Sequence, residues 1–251
     1  MQFQCEITDG PAQIGKLGFN SKEIIVPNIL FPASSSYDFP PFKTDTIGLT
    51  SDKEKNKKSS LLRVGNSVFF KDSYESMIVN NFFVIPESLP TQVTNYLLQY
   101  DDQQQASIQV IPSDETLASE YIKQKTIQLL IVSNAYQLYQ HPKKCVTYLQ
   151  TIRSQCNYDS ILYFPGVARP SNIAILSYFG IDLFDASKTI IDSRYKQFYL
   201  PDTSLDHIKK IQENPCMCPI CATVHKPPAS FSFDELLKHN SRKYFNNFAC
   251  C

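Results

Sequence analysis

Four things are scarce in this chain, and each scarcity removes a class of function. No run of about 18 apolar residues occurs, so no membrane-spanning helix is expected. There is no excess of charge: Lys plus Arg and Asp plus Glu both number 24. A protein that grips nucleic acid alone usually carries a basic surplus, so a nucleic-acid role here needs a local patch or a second subunit. Glycine is limited to seven residues, and neither GxGxxG nor GxxxxGKS/T is present. Nucleotide-cofactor chemistry built on those phosphate cradles is therefore not expected. The opening Met1-Gln2-Phe3-Gln4-Cys5-Glu6 has no basic region followed by an apolar stretch. It reads as cytoplasmic, not as a secretory leader.

What is present fits a folded α/β protein. The 251 residues are 43% apolar, enough for a large core and the right length for one α/β barrel. Short apolar runs alternate with helical stretches of 10–15 residues. Strands are expected at Glu23–Phe31, Ser67–Phe70, Phe82–Ile85, Ser107–Ile111, Ile127–Val132, Ile161–Phe164, Ile181–Phe184 and Gln197–Leu200. Helices are expected at Thr91–Tyr100, Asp114–Gln124, Lys143–Arg153 and Ser171–Phe179, the last with Pro170 at its start and Gly180 at its C′ position. The alternation predicts βαβ units and a parallel sheet, and about eight strands favour a (β/α)8 TIM-type barrel over an open doubly wound sheet. Residues 32–60, rich in Pro and Ser and ending in a charged run from Ser51 to Lys58, read as a solvated surface excursion. Two units follow: a barrel over residues 1–211 and a small zinc-binding subdomain over 212–251.

The eight cysteines stand at 5, 145, 156, 216, 218, 221, 250 and 251. Five crowd the last 36 residues, which in a reducing compartment points to metal and not to disulfides. The loop Pro215-Cys-Met-Cys-Pro-Ile-Cys221 can turn Cys216, Cys218 and Cys221 towards one point. Three thiolates and a fourth N or S donor suit tetrahedral zinc, and four protein ligands make the site structural. His239 is the favoured fourth ligand, with His225 and Cys250 or Cys251 as alternatives. Ser232-Phe-Asp-Glu235 has the form of a capping box, so a helix starting there would carry His239 in its second turn.

Asp182 and Asp185 lie at the end of an expected barrel strand, where barrels do chemistry. Their parity differs, so a straight strand sends them to opposite sides. Asp185, at the mouth, is the candidate nucleophile or base; the competing reading is a cap for a helix over Ala186–Tyr195. Ser133 and Asn134 end another strand and could read a base edge, although Asn134 equally suits a turn. Gly166 and Arg169 follow the Tyr163–Phe164 strand, and Arg169 could meet a phosphate or simply face solvent. Lys143 and Lys144 start an outer helix and read as solvated.

Three blocks carry a resemblance to the tRNA-guanine transglycosylase superfamily: Tyr163-Phe-Pro-Gly-Val-Ala-Arg-Pro-Ser-Asn-Ile-Ala-Ile-Leu176, Gly180-Ile-Asp-Leu-Phe-Asp185, and the cysteine loop followed by His239-Asn240. The short spacing from Cys221 to His239 is similar to that of the archaeal archaeosine synthase branch, as are Asp9-Gly-Pro-Ala-Gln-Ile-Gly-Lys-Leu17 and Val132-Ser-Asn-Ala-Tyr-Gln-Leu138. The resemblance implies a TIM barrel with a zinc subdomain. It also implies action on tRNA with a deazaguanine base in the D-arm. In base-exchanging members the residue matching Asp185 attacks the ribose C1′, and a second aspartate in a D-S-G-G motif is the acid/base. No D-S-G-G occurs here; Pro32-Ala-Ser-Ser-Ser-Tyr-Asp stands in that region. Archaeosine synthases also carry a PUA tRNA-binding module and a lysine-transfer motif, P-C-x3-K-P-Y. This sequence reaches only Cys251 after His239, so it reads as the barrel and zinc parts alone. The implied partners are tRNA, a separate PUA-type chain and a radical-SAM protein, with an oligomer possible.

Overall fold

The computed structural model describes residues 2–19, 22–32, 47–51, 60–64, 67–70, 79–80, 108–123, 129–156, 158 and 160–248, which form three sheets and the helices packed against them. The first sheet is an antiparallel meander of β1 (Gln2–Asp9), β2 (Ala12–Phe19) and β3 (Lys22–Val26). The single strand expected over Glu23–Phe31 is in fact two. Pro27 has no N–H to give to a ladder, so pairing stops there. On its far side β4 (Asn28–Pro32) joins a different sheet.

That second sheet has nine strands. Besides β4 it holds β5 (Ile47–Ser51), β6 (Ser60–Val64), β7 (Ser67–Phe70), β8 (Val79–Asn80), β9 (Ile108–Ile111), β10 (Leu129–Val132), β11 (Ile161–Tyr163) and β12 (Leu183–Asp185). Their order is β8-β7-β6-β5-β4-β12-β11-β10-β9. Every pair from β6 to β9 is parallel, whereas β6–β7 and β7–β8 are antiparallel. The strands at the two ends of the order, β8 and β9, touch each other. The described residues therefore form a mixed α/β sheet, mostly parallel, without the eightfold alternation that the sequence suggested. Strands β5 and β6 were not foreseen; the first interrupts the expected surface excursion. The expected strand Phe82–Ile85 and helix Thr91–Tyr100 lie outside the described residues.

The helices of the second half follow the expected pattern. They are α1 (Glu115–Lys123), α2 (Ala135–Tyr139), α3 (Pro142–Gln155), α4 (Ile173–Tyr178) and α5 (Ser187–Arg194). Helix α4 ends as its sequence predicts. Gly180 sits at φ +85°, its N–H donates to Ser177 O at 2.9 Å, and Ile181 N–H donates to Leu176 O at 3.1 Å. That pair of bonds is a Schellman motif. A Cβ at Gly180 would come within 2.4 Å of Pro11 O, so glycine is needed for space as well as for φ.

Strands β10, β11 and β12 are buried on both faces, which is why they read as apolar runs. On one face Leu130, Val132, Leu162, Phe164 and Phe184 pack with Ile152, Leu149 and Tyr148 of α3 and Leu176 of α4. Alternate residues, Leu129, Ile131, Ile161, Tyr163, Leu183 and Asp185, are buried as well but stand apart from that helical cluster. They define the inner face.

Gln197–Leu200 was expected as a barrel strand. Instead β13 (Gln197–Tyr199) pairs antiparallel with β14 (Leu205–His207) as a separate hairpin. It is too short and too exposed at β14 to extend the buried sheet. Beyond it come α6 (Pro219–Val224) and α7 (Phe233–Phe248).

Candidate functional site

Strand parity separates the two aspartates as the sequence suggested. Asp182 turns to the helical face, where Arg153 of α3 forms an ion pair with its Oδ2 and the Leu162 N–H donates to the same oxygen at 2.7 Å. The Arg153 guanidinium also donates to Gly180 O at 2.8 Å and Ser160 O at 2.9 Å. Asp182 is completely buried, and that burial pushes its carboxyl up to about 6 against the pull of Arg153 and the Leu162 N–H. This is a structural brace between α3 and β12. The sequence offered no sign of Arg153 beyond its place in a helix.

Asp185, the last residue of β12, turns to the inner face. Its Oδ2 accepts from the Gly166 N–H at 2.7 Å and from the Tyr163 hydroxyl at 3.0 Å. Its backbone carbonyl accepts from the Tyr244 hydroxyl of α7 at 3.1 Å. The capping position of α5 falls to Ala186, which has no side-chain oxygen to offer. Tyr163 was missed as a partner, yet the same alternation that separates the aspartates puts it on the face of Asp185. Gly166 holds φ +69°, and a Cβ there would meet nothing within 4 Å. Among the described residues, nothing crowds this side of the loop that grips Asp185.

The remaining sequence candidates gather round the same strand ends. Ser133 is fully buried after β10, and its hydroxyl has no hydrogen-bond partner among the described residues. Asn134 takes a left-handed conformation at φ 49° and leads into α2, which is the turn-making role anticipated for it. Arg169 is not a free surface cation. Its Nε and Nη2 grip both oxygens of Asp192 at 2.7 and 2.8 Å, and Tyr199 donates to the same carboxylate at 2.9 Å.

The second cluster is the cysteine loop. Ligand atoms of Cys216, Cys218, Cys221 and His239 all lie within 4.8 Å of one another. His239 Nδ1 stands 3.4 Å from Cys218 Sγ and 3.2 Å from Cys221 Sγ. Its Nε2 is 2.9 Å from Tyr199 O, a carbonyl that can only accept, so Nε2 carries the proton and Nδ1 is left as a donor atom for a metal. The imidazole stacks on Phe198 with centroids 3.9 Å apart. A hydrogen bond between Cys218 and Cys221 pulls the first thiol down and pushes the second up, so the pair readily offers a thiolate. Three sulfurs and one imidazole nitrogen at these separations fit a tetrahedral cage for a soft divalent ion.

The expected capping box starts the helix that carries His239. Ser232 N–H donates to Glu235 Oε2 at 2.7 Å, and Glu235 N–H donates to Ser232 Oγ at 3.3 Å. His225 is exposed and left-handed at the end of α6, outside the cluster. Cys250 and Cys251 lie outside the described residues. Tyr199 O was missed because a backbone acceptor leaves no mark in composition or spacing.

No protein-family model matches the chain. Its sequence is archaeosine synthase-like, with curated relatives named as archaeosine synthases and as a tRNA-guanine transglycosylase. It is 26% identical over 225 residues to archaeosine synthase subunit alpha of Methanosarcina acetivorans, which covers 88% of this chain and 34% of that protein. Archaeosine synthase of Haloferax volcanii is 32% identical over 83 residues, 33% of this chain and 14% of the relative. The tRNA-guanine(15) transglycosylase of Korarchaeum cryptofilum is 30% identical over 101 residues, 38% of this chain and 17% of the relative. The chain thus spans about a third of the first relative's length and less of the others. The described residues contain no helix long and apolar enough to cross a membrane.

Proposed function

We propose that this chain is the transglycosylase-like subunit, or a short form, of an archaeosine synthase, and that it acts on deazaguanine-modified tRNA. Asp185 carries the reading: a carboxylate at the end of a central parallel strand, gripped by Gly166 and Tyr163, in a chain aligned over 88% of its length with an archaeosine synthase subunit. In this reading the nine-stranded sheet closes as a barrel at β8 and β9, whose contact supports closure. Asp185 faces the modified nucleoside, with Ser133, Asn134 and Gly166 lining the approach and Arg169 towards the backbone. Zinc held by Cys216, Cys218, Cys221 and His239 is structural, because four protein ligands leave no position for water. Residues 1–211 and 212–251 act as barrel and zinc unit. A separate tRNA-binding chain of PUA type and a radical-SAM partner complete the system in the cytoplasm.

Base exchange is the weaker variant. One carboxylate does not easily serve as both nucleophile and acid/base, and no D-S-G-G motif is present. A non-catalytic scaffold is the second reading, favoured by the complete burial of Asp185.

The test uses tRNA bearing the nitrile deazaguanine, incubated with the chain and the proteins that co-purify with it. Modification should fall at least about a hundredfold in Asp185→Asn, as expected for loss of a reacting carboxylate. Unchanged modification in Asp185→Asn, with only a lowered thermal midpoint, would establish the scaffold instead.

A further inference from the structure

Three residues along the chain from Asp185, Lys188 belongs to a charge cluster of which the proposed function uses only Arg169. Lys188 sits in the first turn of α5 with only 8% of its surface exposed. Its ammonium lies 3.7 Å from Asp192 Oδ1 and 5.1 Å from the centre of the Tyr136 ring on α2. The Asp192 carboxylate is already occupied. Arg169 holds both its oxygens, and Tyr199 donates to one of them.

The charges do not balance. Two cations, Lys188 and Arg169, share the single carboxylate of Asp192. Arg169 uses Nε and Nη2, so its Nη1 has no partner among the described residues. Lys188 has three donors and one long ion-pair contact. Burial draws the Lys188 ammonium below its ordinary value, with Arg169 adding to that pull and Asp192 opposing it. The first turn of α5 holds no acidic residue that could balance Lys188. An excess positive charge on a side chain as buried as Lys188 is costly unless an anion meets it.

We propose that Lys188 and the free edge of Arg169 form an oxyanion site, with Asp192 and Tyr199 holding its two cations in place. The ligand is a phosphate-type oxyanion, supplied by a polynucleotide backbone or by a small free anion. A planar guanidinium and a point-charge ammonium together suit tetrahedral oxyanions. The polynucleotide arm rests on the proposed function; the free-anion arm does not.

The experiment compares wild type with Lys188→Met and Lys188→Arg. Two probes are used: inorganic phosphate, read by thermal shift, and transcribed tRNA, read by binding affinity over a range of salt. Phosphate should raise the thermal midpoint of wild type and of Lys188→Arg but not of Lys188→Met. Without phosphate, Lys188→Met should melt at or above the wild-type temperature, because an uncompensated buried cation is gone; a lysine with a purely structural role would do the reverse. If the source is a polynucleotide, the slope of log affinity against log salt for tRNA should flatten by about one in Lys188→Met, with recovery in Lys188→Arg. A phosphate response with an unchanged tRNA slope assigns the site to a small anion. Should Lys188→Met fail to fold, Lys188→Gln takes its place. No phosphate response in wild type, together with a tRNA salt slope that is the same in all variants, overturns the site. No tRNA modification by the wild-type chain and its co-purifying proteins, with an intact phosphate response, would count against the proposed function alone.

Discussion

The cysteine cluster and the Asp185 site are built in opposite ways. The first takes its ligands from the cysteine loop, the short helix α6 and helix α7, with Cys216 and His239 only 23 positions apart. The second joins the end of β12 to Tyr163 of β11, to the Gly166 loop and, through its backbone, to Tyr244 of α7, which lies 59 positions away. In the first, spacing alone brings donors together. In the second, strand register decides which side chains meet, and one residue of slip would send Asp185 to the helical face. The cysteine cluster is therefore a local object and the strand-mouth site a global one.

Breaking the local object should have the largest effect. Cys221→Ser, or removal of metal by a strong zinc chelator, should free the cluster of Phe198, Ile208, Phe231 and Leu236 that packs around Cys216 and Cys221. Structural zinc supplies on the order of 10 kcal/mol to small sites, far more than a cluster this size holds in reserve. Metal analysis should find one zinc per wild-type chain and none in Cys221→Ser, with rapid proteolysis after residue 196. His225→Ala should retain the metal. Loss of zinc in that variant would mean that the ligand set is not the compact one described.

The same contrast explains which features are legible in the sequence. The three cysteines, the capping box and the Gly180 helix stop are short-range signals, and each stands where spacing predicts. The second-half strands and helices were equally legible, because buried parallel strands read as apolar runs. What escaped depends on partners distant in sequence. The β1–β2 hairpin is hidden by isoleucines on its exposed face, Ile7 and Ile14, which blur the alternation. The break at Pro27 splits one apolar run between two sheets. Arg153, Tyr163 and Lys188 gain their roles only from the elements packed against them.

The next largest effect tests the helical face behind Asp185. Arg153→Met leaves Asp182 buried without its cation, which costs about 3–5 kcal/mol in comparable cases. The pH dependence gives the sign. The folded carboxyl titrates near 6, above its unfolded value of about 3.9, so its contribution is fully present below about pH 4 and is lost as pH rises to about 6. Removing Arg153 pushes that carboxyl higher still, so the loss should continue above pH 6 in the variant while wild type stays level. Thermal midpoints from pH 4 to 8 measure this. A deficit of equal size at pH 5 and pH 8 would show that Arg153 acts through packing and its carbonyl contacts, not through the charge of Asp182.

The smallest effect falls on the local object again. Ser232→Ala removes one half of the capping box that starts α7. An exposed cap of this kind is worth about 1 kcal/mol, seen as a fall of about 2–4 °C in a chain of this length. Lys226→Ala removes only a surface pair with Glu235 at 2.8 Å, and pairs of that kind contribute well under 1 kcal/mol. Both variants should keep one zinc per chain, because His239 is fixed independently by the Tyr199 carbonyl and the Phe198 ring. If Ser232→Ala lowered zinc content, the helix start would be setting the imidazole, and the cluster would be less self-contained than its geometry implies.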